Sequence, residues 1–176
     1  IMKKICGVEC NDGVSFTPGS VTSERIREDA DYEGIRIQIE ALLGNARKRL
    51  RIDIGFGDKI IPKSSVITFP TLLDEAPARV KVYSIESIIS EKFEAMIKLA
   101  MVNSRMKDFY DIYMLSKSHN FSAEVLSKAI DTTLKRRKTP LPDDPLIFRS
   151  EFWTDKSKAV QWQAFLRKSR LEDIDT

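Results

Sequence analysis

Hydrophobic and polar residues alternate in the first half of the chain. Ile35, Ile37 and Ile39 alternate with Arg36, Gln38 and Glu40, and Leu50, Ile52 and Ile54 alternate with Arg51 and Asp53. A period of two argues half-buried strands. Gly44-Asn45 between the two runs is a turn signal. The strands are therefore expected to be antiparallel neighbours, with one face on a core and the other polar. Residues 3–10 and 13–17 read as a further strand pair joined at Asn11-Asp12-Gly13. Segment 23–29 is either a short helix or a strand. After Gly57-Asp58 an extended connector is expected through Pro62 and Pro70.

The period changes in the second half. Between Ser84 and Met101 the apolar positions Ile85, Ile88, Ile89, Phe93, Met96, Ile97 and Ala100 follow a helix, with Ser84 as N-cap. A second helix is expected from about Ser104 to Ser116. A third starts at Ser122, where Phe121 and Leu126 stand at the positions of a hydrophobic staple, and ends in Lys135-Arg136-Arg137-Lys138. Pro140, Pro142 and Pro145 then stiffen a loop, and a last helix covers Asp155–Lys168. Strands followed by helices predict an α+β fold: a mostly antiparallel or mixed sheet over 1–83, then a C-terminal helical bundle over 84–176.

Composition narrows the function classes. The 176 residues are 42% hydrophobic and 31% charged, with 7 Gly and 7 Pro, which suits a globular chain with its own core. No apolar run approaches the ~18 residues of a membrane span, so no membrane partner is expected. No secretory signal is read at the start of the chain, and a reducing, cytoplasmic setting is expected. Two cysteines and one histidine leave too few ligands for a zinc site of four cysteines, or of two cysteines with two histidines, and the one histidine, His119, reads as a loop residue, so histidine-dependent nucleophilic catalysis is not expected. Cys6 and Cys10 are expected as buried or half-buried thiols on one side of a strand. A net charge of +3 permits a nucleic-acid partner without demanding one.

Several residues break the pattern. Asp53 shares the polar face of its strand with Arg51 and is expected to pair with it. Lys92 lies inside the apolar arc of its helix, one turn after Ile88 and one before Met96. It either snorkels or meets an anion, as a Lys aimed at a phosphate or carboxylate would. Asp108 and Asp111 share a helical face and repel, with Arg105 and Lys107 beside them. Such a cluster suits a phosphate or Mg²⁺ site and a structural ion network equally well. The run Lys135, Arg136, Arg137 and Lys138 complements a helix C-terminus or contacts a nucleic-acid backbone. Trp153, Trp162 and Phe165, near Lys156, Lys158, Arg167 and Lys168, either extend that surface or form helix core.

The segments Arg51-Ile52-Asp53-Ile54-Gly55-Phe56-Gly57-Asp58, Ser90-Glu91-Lys92-Phe93 and Asn103 through Asp111, with Gln161-Trp162 to Phe165-Leu166, resemble the nucleotidyltransferase AbiEii/AbiGii toxin family. The resemblance implies a polymerase-β-like nucleotidyltransferase core that moves a nucleotide from an NTP, with Mg²⁺, to an acceptor such as a tRNA end. It also implies a phage-defence toxin with a cognate antitoxin. By this resemblance Asp53 is a catalytic, metal-binding carboxylate and Lys92 binds the triphosphate. Asp108 and Asp111, with Arg105 and Lys107, complete the pocket.

One element departs from the family pattern. A Gly-Ser loop followed by Asp-x-Asp on an apolar strand is imitated by Pro18-Gly19-Ser20 and Asp29-Ala30-Asp31, but the second sits in the polar stretch Arg27–Tyr32. The expectation is that the metal pair lies upstream of this chain, which then does not turn over alone. The alternative is a complete but non-catalytic member that binds nucleotide, RNA or antitoxin.

Overall fold

The structure is a computed structural model. It describes residues 1–29, 32–57, 60–71 and 76–171, with the side chains of all but 27–29 and 32–33. Antiparallel strands precede helices, so the α+β expectation holds. The chain divides into two compact units, Ile1–Asp58 with Pro70–Pro77, and Lys59–Phe69 with Ala78–Thr176.

The first unit contains a one-turn helix α1 (Met2–Ile5) and four strands: β1 (Val14–Phe16), β2 (Thr22–Asp29), β3 (Tyr32–Leu43) and β4 (Ala46–Gly55). β3 is the centre. β4 runs antiparallel along one edge, while β2 and β1 share the other. The β3–β4 hairpin closes at Gly44-Asn45, as the turn signal requires, and Gly44 adopts φ 56°, a region closed to most side chains. Ile35, Ile37 and Ile39 stand opposite Ile54, Ile52 and Leu50. Ile37, Ile39 and Cys6 form the buried centre, with Met2, Phe16, Val21, Ile35 and Ile54 against it.

Four expectations are corrected or completed here. The stretch 3–10 is not a strand: Met2–Ile5 is helical, and β1 pairs with β3 instead. Cys6 is buried at the end of that helix whereas Cys10 is exposed, so the two thiols do not share a strand face. The apolar row of β4 is only partly covered, leaving Leu50 and Ile52 exposed. Segment 23–29, which the sequence reads as helix or strand, belongs to the strand β2, because β3 offers it an antiparallel ladder, with one register shift between Arg27 and Asp29.

In the second unit the expected connector contains a hairpin, β5 (Ser65–Phe69) and β6 (Ala78–Val82). Its apolar residues Val66, Ile67 and Phe69 are exposed, and the prolines flanking it hide the strand signal. Four helices follow the sequence closely, α2 (Ile85–Leu99), α3 (Met106–Ser118), α4 (Ala123–Arg136) and α6 (Lys156–Ser169), while a short α5 (Ser150–Trp153) forms after the proline loop where no helix is expected. Ser84, Ser122 and Asp155 cap α2, α4 and α6 by accepting backbone N–H groups of the first turn. Met96, Ile147 and Phe152 form the core, with Phe93, Ile97, Phe109 and Ile112 packed on it. No helix among the described residues is long and apolar enough to cross a membrane.

Lys158 is buried in this unit. Its ammonium donates to the carbonyls of Met101 and Asn103, at 2.6 Å each, and lies 5.3 Å from the centre of the Phe152 ring. Lys158→Met keeps the stem but removes the charged donor from a buried carbonyl. It is expected to lower stability by about 1.5–3 kcal/mol, read as the shift in urea midpoint at constant slope.

Candidate active site

α2 and α3 create the candidate site. Asn103, wholly buried, ends the turn after α2, and its Oδ1 accepts the backbone N–H of Arg105 at 2.8 Å. This local bond aims the chain into α3. Lys158 holds the same turn from the other side through the Asn103 carbonyl. Asp108 then falls in the first turn of α3 and Asp111 one turn later, both toward α2.

Lys92 on α2 meets both. Its Nζ is 2.6 Å from Asp108 Oδ1 and 2.8 Å from Asp111 Oδ2. Arg105 Nε lies 2.8 Å from Asp108 Oδ2, an ionic contact too bent to count as a hydrogen bond. Lys107 Nζ donates to Asp111 Oδ2 at 2.5 Å. The sequence leaves Lys92 open between snorkelling and an anion; the anion is two carboxylates of the next helix. The structure thus brings Lys92, Arg105, Lys107, Asp108 and Asp111 together, three cations around two carboxylates. Arg105 and Lys107 remain open to solvent, Lys92 is mostly covered, and Asp108 is buried.

The electrostatics fix the protonation states. Burial alone would lower the Lys92 pKa, but hydrogen bonding to Asp108 and Asp111 outweighs it and holds the ammonium above its ordinary value. Burial likewise favours the neutral form of Asp111, and Lys107 and Lys92 overcome it, so its carboxyl is held below the ordinary range. Lys92 is therefore a fixed positive charge near neutral pH, unsuited to act as base or nucleophile. An ammonium has three donors, and the two carboxylates account for two of them.

Asp53 belongs to the first unit. It stands opposite Arg36 in the β3–β4 register. Arg36 grips both of its oxygens, at 2.8 and 3.0 Å, and holds its pKa below the ordinary value. The expected partner Arg51 acts only as a weaker neighbouring charge. The Gly-Ser mimic is a tight 3-10 turn in which the Ser20 hydroxyl donates to Thr17 O and accepts from Glu40 N. Of the Asp-x-Asp mimic, Ala30 and Asp31 lie outside the described residues, as does Asp58 of the Gly-Phe-Gly-Asp segment.

The basic run at the end of α4 divides. Lys135 pairs with Asp131 at 2.7 Å, and with Lys138 it lines an open groove of about 800 Å³ that also contains Phe93 and Leu141. Arg136 is the last residue of α4. Arg137 turns inward, its Nη1 2.9 Å from Oε2 of the buried Glu94. Sequence reasoning missed Glu94 and the inward role of Lys158. The signal for Lys158 was present: it stands four residues before Trp162 and seven before Phe165, in the apolar row of α6.

Over residues 1–175 the chain matches the family described as nucleotidyl transferase AbiEii toxin, Type IV TA system. The chain belongs to that family. No curated protein and no solved structure matches it. Membership in the AbiEii family gives it a toxin nucleotidyltransferase role, with an NTP substrate and an antitoxin partner implied. The family also implies a metal, and the described residues do not fit one. No three Asp, Glu, His or Cys side chains converge among them. Both Asp53 oxygens are held by Arg36. The Lys92 ammonium lies within 2.8 Å of both Asp108 and Asp111, where it would repel a divalent cation.

Proposed function

We propose that this chain works in transfer of a nucleotide from an NTP to an RNA acceptor, a tRNA end being the best candidate, and that the Lys92 cluster holds the triphosphate. The observation that carries this reading is the clamped ammonium. Two carboxylates fix Lys92 in place and keep it charged, while its third donor remains for a phosphate oxygen. Arg105 and Lys107, both open to solvent, supply further cationic donors beside it. The residues act by neutralising and orienting phosphate; none is positioned as a proton shuttle. In the cell we place this activity in the cytoplasm, as a defence toxin restrained by its antitoxin.

The test uses the complete gene product, each of the four α-labelled NTPs, Mg²⁺ and total tRNA. Label is expected in tRNA with at least one NTP, and Lys92→Met is expected to abolish it. The unfitted metal favours a second reading, in which the chain binds nucleotide, RNA or antitoxin without transfer. NTP binding lost in Lys92→Met, with no label in any RNA or protein, would establish that second reading and overturn the first.

A further inference from the structure

We propose that the aromatic hollow between α3, α5 and α6 is a stacking site for an unpaired base of single-stranded RNA. The hollow encloses about 500 Å³ and is walled by Phe109 and Tyr113 of α3, Phe152 and Trp153 of α5, and Trp162 of α6. Its size and lining are those of a ligand site. Phe152 is its buried floor, whereas Trp153 is 59% and Tyr113 37% exposed. Trp153 stands nearly perpendicular to Phe109 and Phe152, at 84° and 79°, so neither neighbour lies parallel to the indole. An indole more than half exposed beside other rings is the surface a base stacks on.

Charge selects the occupant. α6 carries Lys156, Arg167 and Lys168 and no carboxylate, and its fourth cation, Lys158, is held inward by the Met101 and Asn103 carbonyls. Lys156, Ala159, Gln163 and Arg167 form one row at spacings of three and four, so the wall contributed by Ala159 and Gln163 continues into a cation at each end. On α3, Lys117 lies one turn beyond Tyr113, its Nζ 5.6 Å from the ring centre. On the neighbouring segments, Glu151 lies on α5, Asp155 Oδ1 is taken by the amides of Ser157 and Lys158, and Asp108 and Asp111 of α3 are paired with Lys92, Arg105 and Lys107. The Gln163 amide makes no hydrogen bond among the described residues and offers both donor and acceptor to a base edge. Rings for bases and flanking cations for phosphates are what a nucleotide strand requires. An apolar peptide would gain nothing from the cations.

The chain's two tryptophans both line the hollow, so their emission reports on it directly. Titrating the complete chain with a mixed-sequence single-stranded RNA oligonucleotide at low salt is expected to give saturable quenching. The same RNA annealed into a duplex is expected to quench far less. Trp153→Ala should weaken binding roughly 5- to 150-fold, the size of one base–aromatic stack. Trp153→Phe, which keeps a ring, should recover most of it. Trp162 remains as reporter in both variants, and the exposure of Trp153 leaves the core intact, which a circular-dichroism melt checks.

Absence of saturable quenching overturns the proposal. So does equal quenching by duplex, an unchanged affinity in Trp153→Ala, or quenching by the cognate antitoxin and not by RNA. The inference rests on RNA being the acceptor, and the readout separates the two. RNA stacking without transfer overturns the transfer reading alone, whereas transfer to RNA without stacking overturns this one alone.

Discussion

Replacing Arg137 with Ala is expected to destabilise the helical unit by about 3–5 kcal/mol, the cost of leaving one member of a buried pair without its counter-charge. Glu94 is 1% exposed, and Arg137 Nη1 donates to its Oε2 at 2.9 Å. The Thr139 hydroxyl donates to the other oxygen, and Arg137 Nη2 lies 3.9 Å from Glu91. After truncation the carboxylate would keep only the Thr139 hydroxyl. The backbone is built for this contact. Lys138 adopts φ 53°, which ends α4 and lets Thr139 N donate back to Leu134 O, turning Thr139 toward α2. Urea unfolding at constant slope measures the loss. The control is Glu94→Met with Arg137→Met. Removing both charges together is expected to recover most of the stability, because a buried pair contributes little beyond what an apolar pair of similar volume would. A double variant as unstable as Arg137→Ala would show that the guanidinium acts through packing instead.

The same residue shows how far sequence reading reaches. In the sequence Arg137 is one of four basic residues at a helix end, and the local explanations, helix dipole or phosphate contact, exhaust what neighbours in the chain can reveal. Its partner is 43 residues away on another helix. The β3–β4 hairpin was legible because its signal is local: alternation fixes the faces and Gly44-Asn45 fixes the register. Even there the partner of Asp53 is Arg36 across the ladder rather than Arg51 along the strand, since a direct cross-strand neighbour comes closer than a residue two positions along. The helix starts were legible through Ser84, Ser122 and Asp155. The helix α1 was not, because four residues are too few to show a period, and Cys6, Val8 and Cys10 fall at every second position as they would in a strand. For the candidate site, Lys92 was visible as a charge in an apolar arc and Asp108 and Asp111 as a like-charged pair. That each resolves the other required knowing that α2 and α3 lie side by side.

Lys92→Met should therefore act twice. Besides losing transfer, it is expected to cost about 3 kcal/mol of stability, the low end for breaking a buried pair, because Arg105 and Lys107 still contact the stranded carboxylates. The pH dependence follows from the signs of the two shifts. Asp111 has a depressed folded pKa, so its contribution is complete above its ordinary value of 3.8 and is lost as pH falls through the folded value. Lys92 has a raised folded pKa, so its contribution is complete below its ordinary value of 10.5 and is lost as pH rises through the folded value. The stability gap between wild type and Lys92→Met should thus be flat from roughly pH 5 to 9 and narrow beyond either end. Urea midpoints taken across that range read it directly. A gap that persists unchanged beyond both ends would mean that the loss comes from how methionine packs in the apolar arc, and not from the missing ammonium. The site would then be a packed helix pair, with no fixed charge to offer a phosphate.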